Sequence, residues 1–206
     1  MQLFTSSHPL VYHYLSVIRQ HGTETEQFAH NLENIATVLA VESTRDLPQR
    51  SVKVETPLES CYAQELDKPI ILVPILRAGL GMLAPFRRLI PTAQIAHVGM
   101  YRNEETLEPV VYYQRIPAEM KGSTVLILDP MLATGGSASQ AISFIKQYEP
   151  ATIKLVNIIA APEGVERIKR DHDDITLFLG VLDRQLNEQG YILPGLGDAG
   201  DRIYGT

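Results

Sequence analysis

Three short runs, Pro69-Ile-Ile-Leu-Val-Pro74, Thr124-Val-Leu-Ile-Leu128 and residues 153–160, are apolar almost throughout, and they constrain the fold of this chain more than any other feature. A strand with one wet face alternates apolar and polar residues. A continuous apolar run of strand length belongs to a sheet covered on both faces. Helix-like stretches follow these runs at 79–89, 137–147 and 163–170, and a further strand is predicted over 175–182. Strands separated by helices of this length predict an α/β fold with a mainly parallel sheet and flanking helices. Its ligands should lie outside the carboxyl ends of the strands. Val52-Lys-Val54 and residues 94–98 read as shorter strands, and 110–114 alternates like one arm of a hairpin.

Residues 1–50 read as mostly helical. Leu10, Tyr14, Val17 and Ile18 recur at helical spacing behind Pro9, and Arg19 closes the run before Gly22. Phe28, Leu32, Ile35 and Leu39 stripe a second helix over 24–42, which stops at Asp46-Leu-Pro48. His8, His13, His21 and His30 show no ligand spacing and read as surface or capping residues. The tail, 187–206, carries Gly190, Gly195, Gly197, Gly200 and Gly205 with Pro194. That composition predicts an ordered, non-helical stretch folded back on the body, either functional or plainly structural.

At 206 residues the chain is nearer one domain than two, and long enough to bury a core without disulfides or structural metal. Eighteen Lys and Arg against 24 Asp and Glu give a net charge of -6, which argues against broad nucleic-acid binding but leaves a local basic patch open. The single cysteine, Cys61, excludes an intrachain disulfide and reads as a small, semi-buried apolar residue. There is no basic-then-apolar leader and no membrane-length apolar run, so a cytoplasmic protein without a membrane span is expected.

The most informative segment is Val125-Leu-Ile-Leu-Asp-Pro-Met-Leu-Ala-Thr-Gly-Gly-Ser137. It is an apolar strand ending in a carboxylate, then a turn, then Thr134, Gly135, Gly136 and Ser137 opening a helix. Backbone amides at a helix start, beside two glycines and two hydroxyls, form a receptor for a phosphate dianion. The competing reading is a simple helix cap at Thr134 or Ser137. No Lys follows the glycines, so this is not a Walker A loop, and no G-x-G-x-x-G follows the first strand. Asp129, five residues before Thr134, is placed to face sugar hydroxyls on a ligand whose phosphate sits at the helix start.

Asp129-Pro-Met-Leu-Ala-Thr-Gly-Gly-Ser137 resembles the phosphoribosyl-diphosphate signature of the type I phosphoribosyltransferases, in the version carried by the uracil phosphoribosyltransferase family. Three further stretches resemble the same family: Val73-Pro-Ile-Leu-Arg-Ala-Gly-Leu-Gly81, Gly99-Met-Tyr-Arg-Asn-Glu-Glu-Thr-Leu-Glu-Pro109 and Leu186-Asn-Glu-Gln-Gly-Tyr-Ile-Leu-Pro-Gly-Leu-Gly-Asp-Ala-Gly200. The likeness runs from about His8 to Thr206. It implies one domain over 1–206, with a helical N-terminal region (1–50), a flexible flap (99–115) and a C-terminal base-binding hood (183–206). It implies transfer of the 5-phosphoribosyl group from 5-phospho-α-D-ribose 1-diphosphate to N1 of uracil, giving UMP and diphosphate. An RNA-binding pyrimidine-operon regulator on the same fold is the alternative; it needs a basic face.

The resemblance also implies roles residue by residue. Asp129, Pro130, Met131, Leu132, Ala133, Thr134, Gly135, Gly136 and Ser137 bind the sugar diphosphate. Ala133 to Ser137 cradle its 5-phosphate and Asp129 faces the ribose hydroxyls. Arg77 and the flap residue Arg102 reach the diphosphate, near a strained or cis peptide bond. In isolation Arg77 reads as a solvated strand-end residue, and Arg102 as part of a charged hairpin tip with Glu104, Glu105 and Glu108. Ile192, Gly197, Asp198 and Ala199 read uracil, largely through backbone groups, with Tyr191 packing beside the pocket and Asp198 also near the sugar. Arg102 and Asp198 are the catalytic candidates. Mg2+ is expected as cofactor, carried mainly by the sugar diphosphate. Pro130 stands where many relatives have a second acid, so no protein metal ligand is assigned. Ala84-Pro-Phe86 departs from an Asp-Gly pair common in relatives. Self-association as a homodimer or larger oligomer is expected. Arg19, Arg50, Arg87 and Arg88 either line a site for a GTP effector or form a solvated surface.

Overall fold

The predicted apolar runs become the centre of one parallel sheet. The computed structural model describes residues 1–102 and 109–206, and for 100–102 and 109–111 it describes the backbone alone. In chain order the elements begin with β1 (Gln2–Thr5), α1 (Pro9–Ile18), α2 (Thr25–Ser43), β2 (Gln49–Glu55), β3 (Ser60–Leu66), β4 (Ile70–Pro74) and α3 (Leu80–Leu89). They continue through β5 (Gln94–Ile95), β6 (His97–Arg102), β7 (Pro109–Arg115), β8 (Thr124–Leu128), β9 (Met131–Leu132) and α4 (Gly136–Lys146). Last come β10 (Thr152–Ala160), α5 (Pro162–Asp171), β11 (Thr176–Leu182), β12 (Gln185–Leu186), β13 (Ile192–Leu193) and α6 (Ala199–Tyr204).

The main sheet runs β1-β11-β10-β8-β4-β5, with β9 paired to β10. Every pairing within it is parallel. From β4 the chain steps outward to β5, then crosses to β8 on the opposite side of β4 and continues outward to β10 and β11. Strand order therefore reverses between β4 and β8, and a crevice opens at their carboxyl ends.

Alternation along each strand feeds two helical layers. Ile71, Val73, Val125, Ile127, Leu155 and Leu177 pack with Ala138, Ile142 and Ile145 of α4 and with Val165 and Ile168 of α5. Leu72, Leu126, Leu128, Val156 and Phe178 pack with Phe28, Leu32, Ile35 and Leu39 of α2 and with Met82 and Phe86 of α3. Each such aliphatic side chain contributes about 1.5–3 kcal/mol by leaving water. The two polar interruptions of β10 both donate to distant backbone carbonyls. Lys154 donates to Ser43 O (2.8 Å) and pairs with Asp46. Asn157 Nδ2 donates to Asp129 O (2.7 Å), while its buried Oδ1 has no partner among the described residues.

Several expectations need correction. The N-terminal region is not all helix: β1 pairs in parallel with β11 at the sheet edge. Its Leu3 and Phe4 stay about half exposed, so backbone pairing defines it rather than an apolar pattern. In α1 the buried face is Val11, Leu15 and Ile18; Ile18 belongs to the predicted stripe, whereas Leu10 is exposed and Tyr14 only partly buried. Val52-Lys-Val54 is part of a longer β2, whose antiparallel partner β3 carries no alternation. Cys61 lies in β3 and is exposed, not semi-buried. The 94–98 strand divides into β5 and the start of β6. The tail does contain a helix, α6, with Asp198 capping its start by accepting from Asp201 N (2.9 Å). Pro85 lies inside α3 and Phe86 in the core, so the Ala84-Pro-Phe86 departure is absorbed as helix packing. His8, His13, His21 and His30 are exposed as expected, and His8 Nδ1 caps α1 by accepting from Leu10 N (3.2 Å).

Two arginines explain why the N-terminal helices matter to the tail. Arg19 makes a forked pair with Asp183 (2.6 and 2.9 Å) and donates to Gly195 O (2.8 Å). It is a structural tie, so it drops out of the expected effector-site group. Arg202 donates to Ile18 O (2.6 Å), Gln20 O (2.6 Å) and Leu196 O (2.8 Å), and sits 4.4 Å over the Phe28 ring. Forked charge-assisted bonds of this kind fix orientation as well as distance. They hold residues 183–206 against α1 and α2.

Candidate active site

Three segments meet at the crevice between β4 and β8. The first is the turn after β4. Ile75 N donates to Leu128 O (2.9 Å) and Gly79 N to Ile75 O (2.8 Å), which folds the turn tightly against the end of β8. The Leu76–Arg77 peptide bond is cis, as the resemblance implied. Arg77 lines the resulting cleft with Asp129, Ser137, Asp198 and Gly200. Its guanidinium pairs with Asp201 (2.7 Å) and donates to Thr206 Oγ1 (3.2 Å). It is therefore positioned at the cleft rim by α6, not loosely solvated.

The second segment is 129–137. Pro130 O accepts from Ile158 N and Ile159 N (3.0 Å each), and Leu132 O accepts from Ala161 N (2.9 Å). Those bonds pin the loop to β10 through backbone, while the side chains of Pro130 and Leu132 are buried. Asp129, Met131, Ala133, Thr134, Gly136 and Ser137 border the open side. Gly135 is the helix cap at φ 74°, a left-handed conformation that glycine adopts freely. No side chain caps α4 in the usual way, and Gly136 N lies 3.4 Å from Thr134 Oγ1. The amides of Ser137 and Ala138 have no hydrogen-bond partner among the described residues. The simple-cap reading therefore fails for Ser137 and is weak for Thr134. What remains is a helix start with donors free to meet an anion.

Asp129 is half-buried at the cleft floor, where it accepts from Met131 N (3.3 Å). Loss of water around the carboxyl pushes its pKa up to about 7, and the Met131 amide opposes this only in part. The acid is thus poised to bind hydroxyl groups, which suits the role expected of it.

The third segment is the tail. The β12–β13 pair and the cis Leu193–Pro194 bond lead into Gly195 and Gly197, at φ 64° and 79°. Asp198 and Gly200 face the cleft, but one Asp198 oxygen is committed to capping α6. Ile192 and Ala199 bury their side chains in the core, so only backbone groups of theirs are available to a ligand. Gly197 is exposed beside them. Tyr191 is half exposed, and its backbone pairs with Asn187.

The flap expectation is only partly open to description. β6 and β7 pair antiparallel with Arg102 opposite Pro109, and Val98 of β6 lines a pocket adjoining the cleft, beside Leu76. Glu104, Glu105 and Glu108 lie outside the described residues, as does the Arg102 side chain. Among the described residues no cluster of three or more His, Cys, Asp or Glu could hold a metal ion, and no helix is long and apolar enough to cross a membrane. Sequence reasoning missed Asp201, which holds Arg77, and Arg167 of α5, which borders the 129–137 loop. Both belong to no motif and meet the site through packing.

Known proteins match this arrangement over essentially the whole chain. The family model described as uracil phosphoribosyltransferase covers residues 5–206. A uracil phosphoribosyltransferase of Malacoplasma penetrans is 49% identical over 203 residues, 98% of each chain. One from Halalkalibacterium halodurans is 48% identical over 206 residues, 100% of this chain and 99% of its own. A solved Aquifex aeolicus protein superposes with a TM-score of 0.91 at 41% identity over 98% of each chain. A hypoxanthine-guanine phosphoribosyltransferase from Bacillus anthracis shares the fold alone, at TM-score 0.53 and 16% identity over 77% of this chain and 80% of its own. A parallel sheet with its crevice at the β4–β8 switch, an uncapped glycine-rich helix start after an acid-tipped strand, and matches of this identity along the full length agree: the chain belongs to the uracil phosphoribosyltransferase family.

Proposed function

We propose that this chain transfers the 5-phosphoribosyl group of 5-phospho-α-D-ribose 1-diphosphate to N1 of uracil, releasing diphosphate and forming UMP. The carrying observation is the convergence of the β4 turn, the 129–137 loop and the tail on one cleft. In this reading the amides of Ser137 and Ala138 and the Thr134 and Ser137 hydroxyls receive the 5-phosphate. Asp129 accepts from the ribose hydroxyls. Arg77, with Arg102 from the flap, meets the diphosphate. The polar edge of uracil lies against backbone of Ile192, Gly197, Asp198 and Ala199.

Positive charge grows at C1 of the ribose as the diphosphate departs. Prearranged donors around that leaving group supply most of the rate enhancement, and no covalent intermediate is needed. Asp198 has one carboxylate oxygen uncommitted and stands as the candidate for taking the N1 proton. The donor set fits Mg2+ only as a partner of the substrate. Asp129 and Asp198 offer single carboxylates, so the ion's remaining ligands would be diphosphate, hydroxyl and water oxygens. Bound there, Mg2+ neutralises diphosphate charge. On the same reading the protein self-associates and works in the cytoplasm. GTP remains the effector to test. Arg50 and Arg88 pair with Glu65 and Glu33, which favours a solvated surface for these residues. No observation favours the RNA-binding alternative.

The test is an assay of purified protein with the sugar diphosphate, Mg2+ and each of uracil, cytosine, orotate, guanine and hypoxanthine. Uracil should be used at least about 100-fold more efficiently than the others, because a mismatched base leaves buried polar groups unpaired. Comparable rates with orotate or guanine would sink the assignment of specificity.

Gly136→Ala separates phosphate binding from helix initiation. A Cβ there would lie 3.4 Å from an Arg167 terminal nitrogen and 3.6 Å from Thr134 Oγ1, so the fold has room for it. Alanine is also the better helix former. The ligand-free thermal midpoint should stay within a few degrees of wild type, while calorimetric affinity for the sugar diphosphate falls at least about 10-fold. A stable variant that binds like wild type would put the phosphate elsewhere.

A further inference from the structure

We infer that Arg167 on α5 supplies a side-chain cation to the 5-phosphate site of this chain, in addition to the backbone donors of the 129–137 loop. The inference rests on the transferase reading above. The loop itself contains no Lys or Arg, so every donor it offers a dianion is a neutral amide or hydroxyl. Arg167 reaches it from outside. Gly164 makes that approach possible: a Cβ there would stand 2.4 Å from Ala133 O and 2.9 Å from Leu132 O, so only glycine lets the first turn of α5 rest on the loop backbone. Glu163 holds the same turn from the other side by accepting from Leu186 N (2.9 Å).

One turn further along α5, Arg167 falls on the same face as Gly164. Its stem packs over Gly135, where a Cβ would meet Arg167 Cβ at 3.3 Å and Cδ at 3.4 Å. Its head extends across Gly136, and it lines an adjoining pocket with Gln140 that shares Thr134, Gly136 and Ser137 with the loop's own pocket. The remaining donors are available. Only Nε is engaged, at 3.4 Å from Asp171, and neither terminal nitrogen has a partner among the described residues. Asp171 does not need Arg167, because Arg170 (2.9 Å) and Ser139 (3.0 Å) serve it at closer range. A guanidinium held by its stem, with its fork directed over a helix start, is suited to bind phosphate oxygens in pairs.

The test compares Arg167→Met, which keeps the stem and removes the charge, with Arg167→Lys, which keeps both stem and charge. Steady-state kinetics are read with ribose 5-phosphate and inorganic diphosphate as separate inhibitors. Arg167→Met should raise KM for the sugar diphosphate about 10-fold, with kcat within about twofold, the size expected for one charge-assisted contact. Inhibition by ribose 5-phosphate should weaken to the same degree and inhibition by diphosphate should not change. Arg167→Lys should recover part of the loss. An Arg167→Met enzyme with wild-type KM and ribose 5-phosphate inhibition overturns the inference, and so does a loss of diphosphate inhibition in its place. If the methionine variant unfolds, wild-type protein decides: ribose 5-phosphate should protect Arg167 from dicarbonyl modification mapped by mass spectrometry, and unprotected Arg167 overturns the inference. A wild-type protein that makes no UMP defeats the transferase reading itself, whereas an active enzyme indifferent to Arg167 defeats this step alone.

Discussion

Replacing Gly79 with alanine is expected to reduce kcat/KM at least about 100-fold. Gly79 has ordinary helical dihedrals (φ -59°, ψ -23°), so glycine is needed there for space, not for conformation. A Cβ would stand 2.3 Å from Leu128 O and 2.6 Å from both Ile75 N and Ile75 O, all backbone atoms in the two central strands or the turn after β4. None of these can rotate away as a flexible side chain would. Either β8 yields, at an overpacking cost of about 1–3 kcal/mol, or the 75–79 turn moves outward and takes Arg77 with it. A displacement of about 1 Å at a positioning group is enough for a 100-fold loss. The measurement is kcat/KM together with the thermal midpoint, with Gly22→Ala as control, since nothing lies within 4 Å of a Cβ at Gly22. Wild-type turnover and stability in Gly79→Ala would mean that the turn is not held as tightly as its hydrogen bonds imply.

What could be read from sequence divides along a physical line. Strands β4, β8, β10 and β11 are covered on both faces, and double coverage writes a continuous apolar run that needs no partner to be recognised. Strand β1 has four residues, all exposed, and exists because Gln2 N and Ser6 N bond to Ile175 O and Leu179 O. That information lies in the partner strand. The 129–137 loop was legible for a related reason: acid, glycines and hydroxyls act together within nine consecutive positions, and local backbone geometry delivers them to one place. Arg19 with Asp183, Arg202 with Ile18 and Arg167 with Gly136 are contacts between elements distant in sequence, and single-sequence patterns are blind to them. The helix in the tail shows propensity overridden by context. Asp198 caps it, Gly205 at φ 69° ends it, and the Arg202 clamp supplies what five scattered glycines take away.

Asp129→Asn should stabilise the ligand-free protein at neutral and alkaline pH while weakening its hold on the sugar. The folded-state pKa of Asp129 is about 7 against an ordinary value of 3.8, because the carboxyl loses water on folding. Between those two values the folded chain binds more protons than the unfolded one, so stability falls as pH rises through that window. Below about pH 3 the residue is neutral in both states and costs nothing. Above about pH 7 the whole penalty is present, about 4 kcal/mol for a shift of this size. Asparagine has the same shape and no charge, and its carbonyl can still accept from Met131 N. The difference in thermal midpoint between variant and wild type should therefore be near zero at about pH 3, grow between about pH 4 and 7, and level off about 10 °C in favour of asparagine above about pH 8. Other titrating carboxylates are common to both proteins and drop out of the difference. Affinity for the sugar diphosphate should move the opposite way, because a carboxylate is the stronger acceptor for paired ribose hydroxyls. A group that costs stability and serves only the ligand is what a binding site is expected to contain. Parallel stability curves across the whole pH range would show that Asp129 is well solvated, and unchanged sugar affinity would remove it from the site.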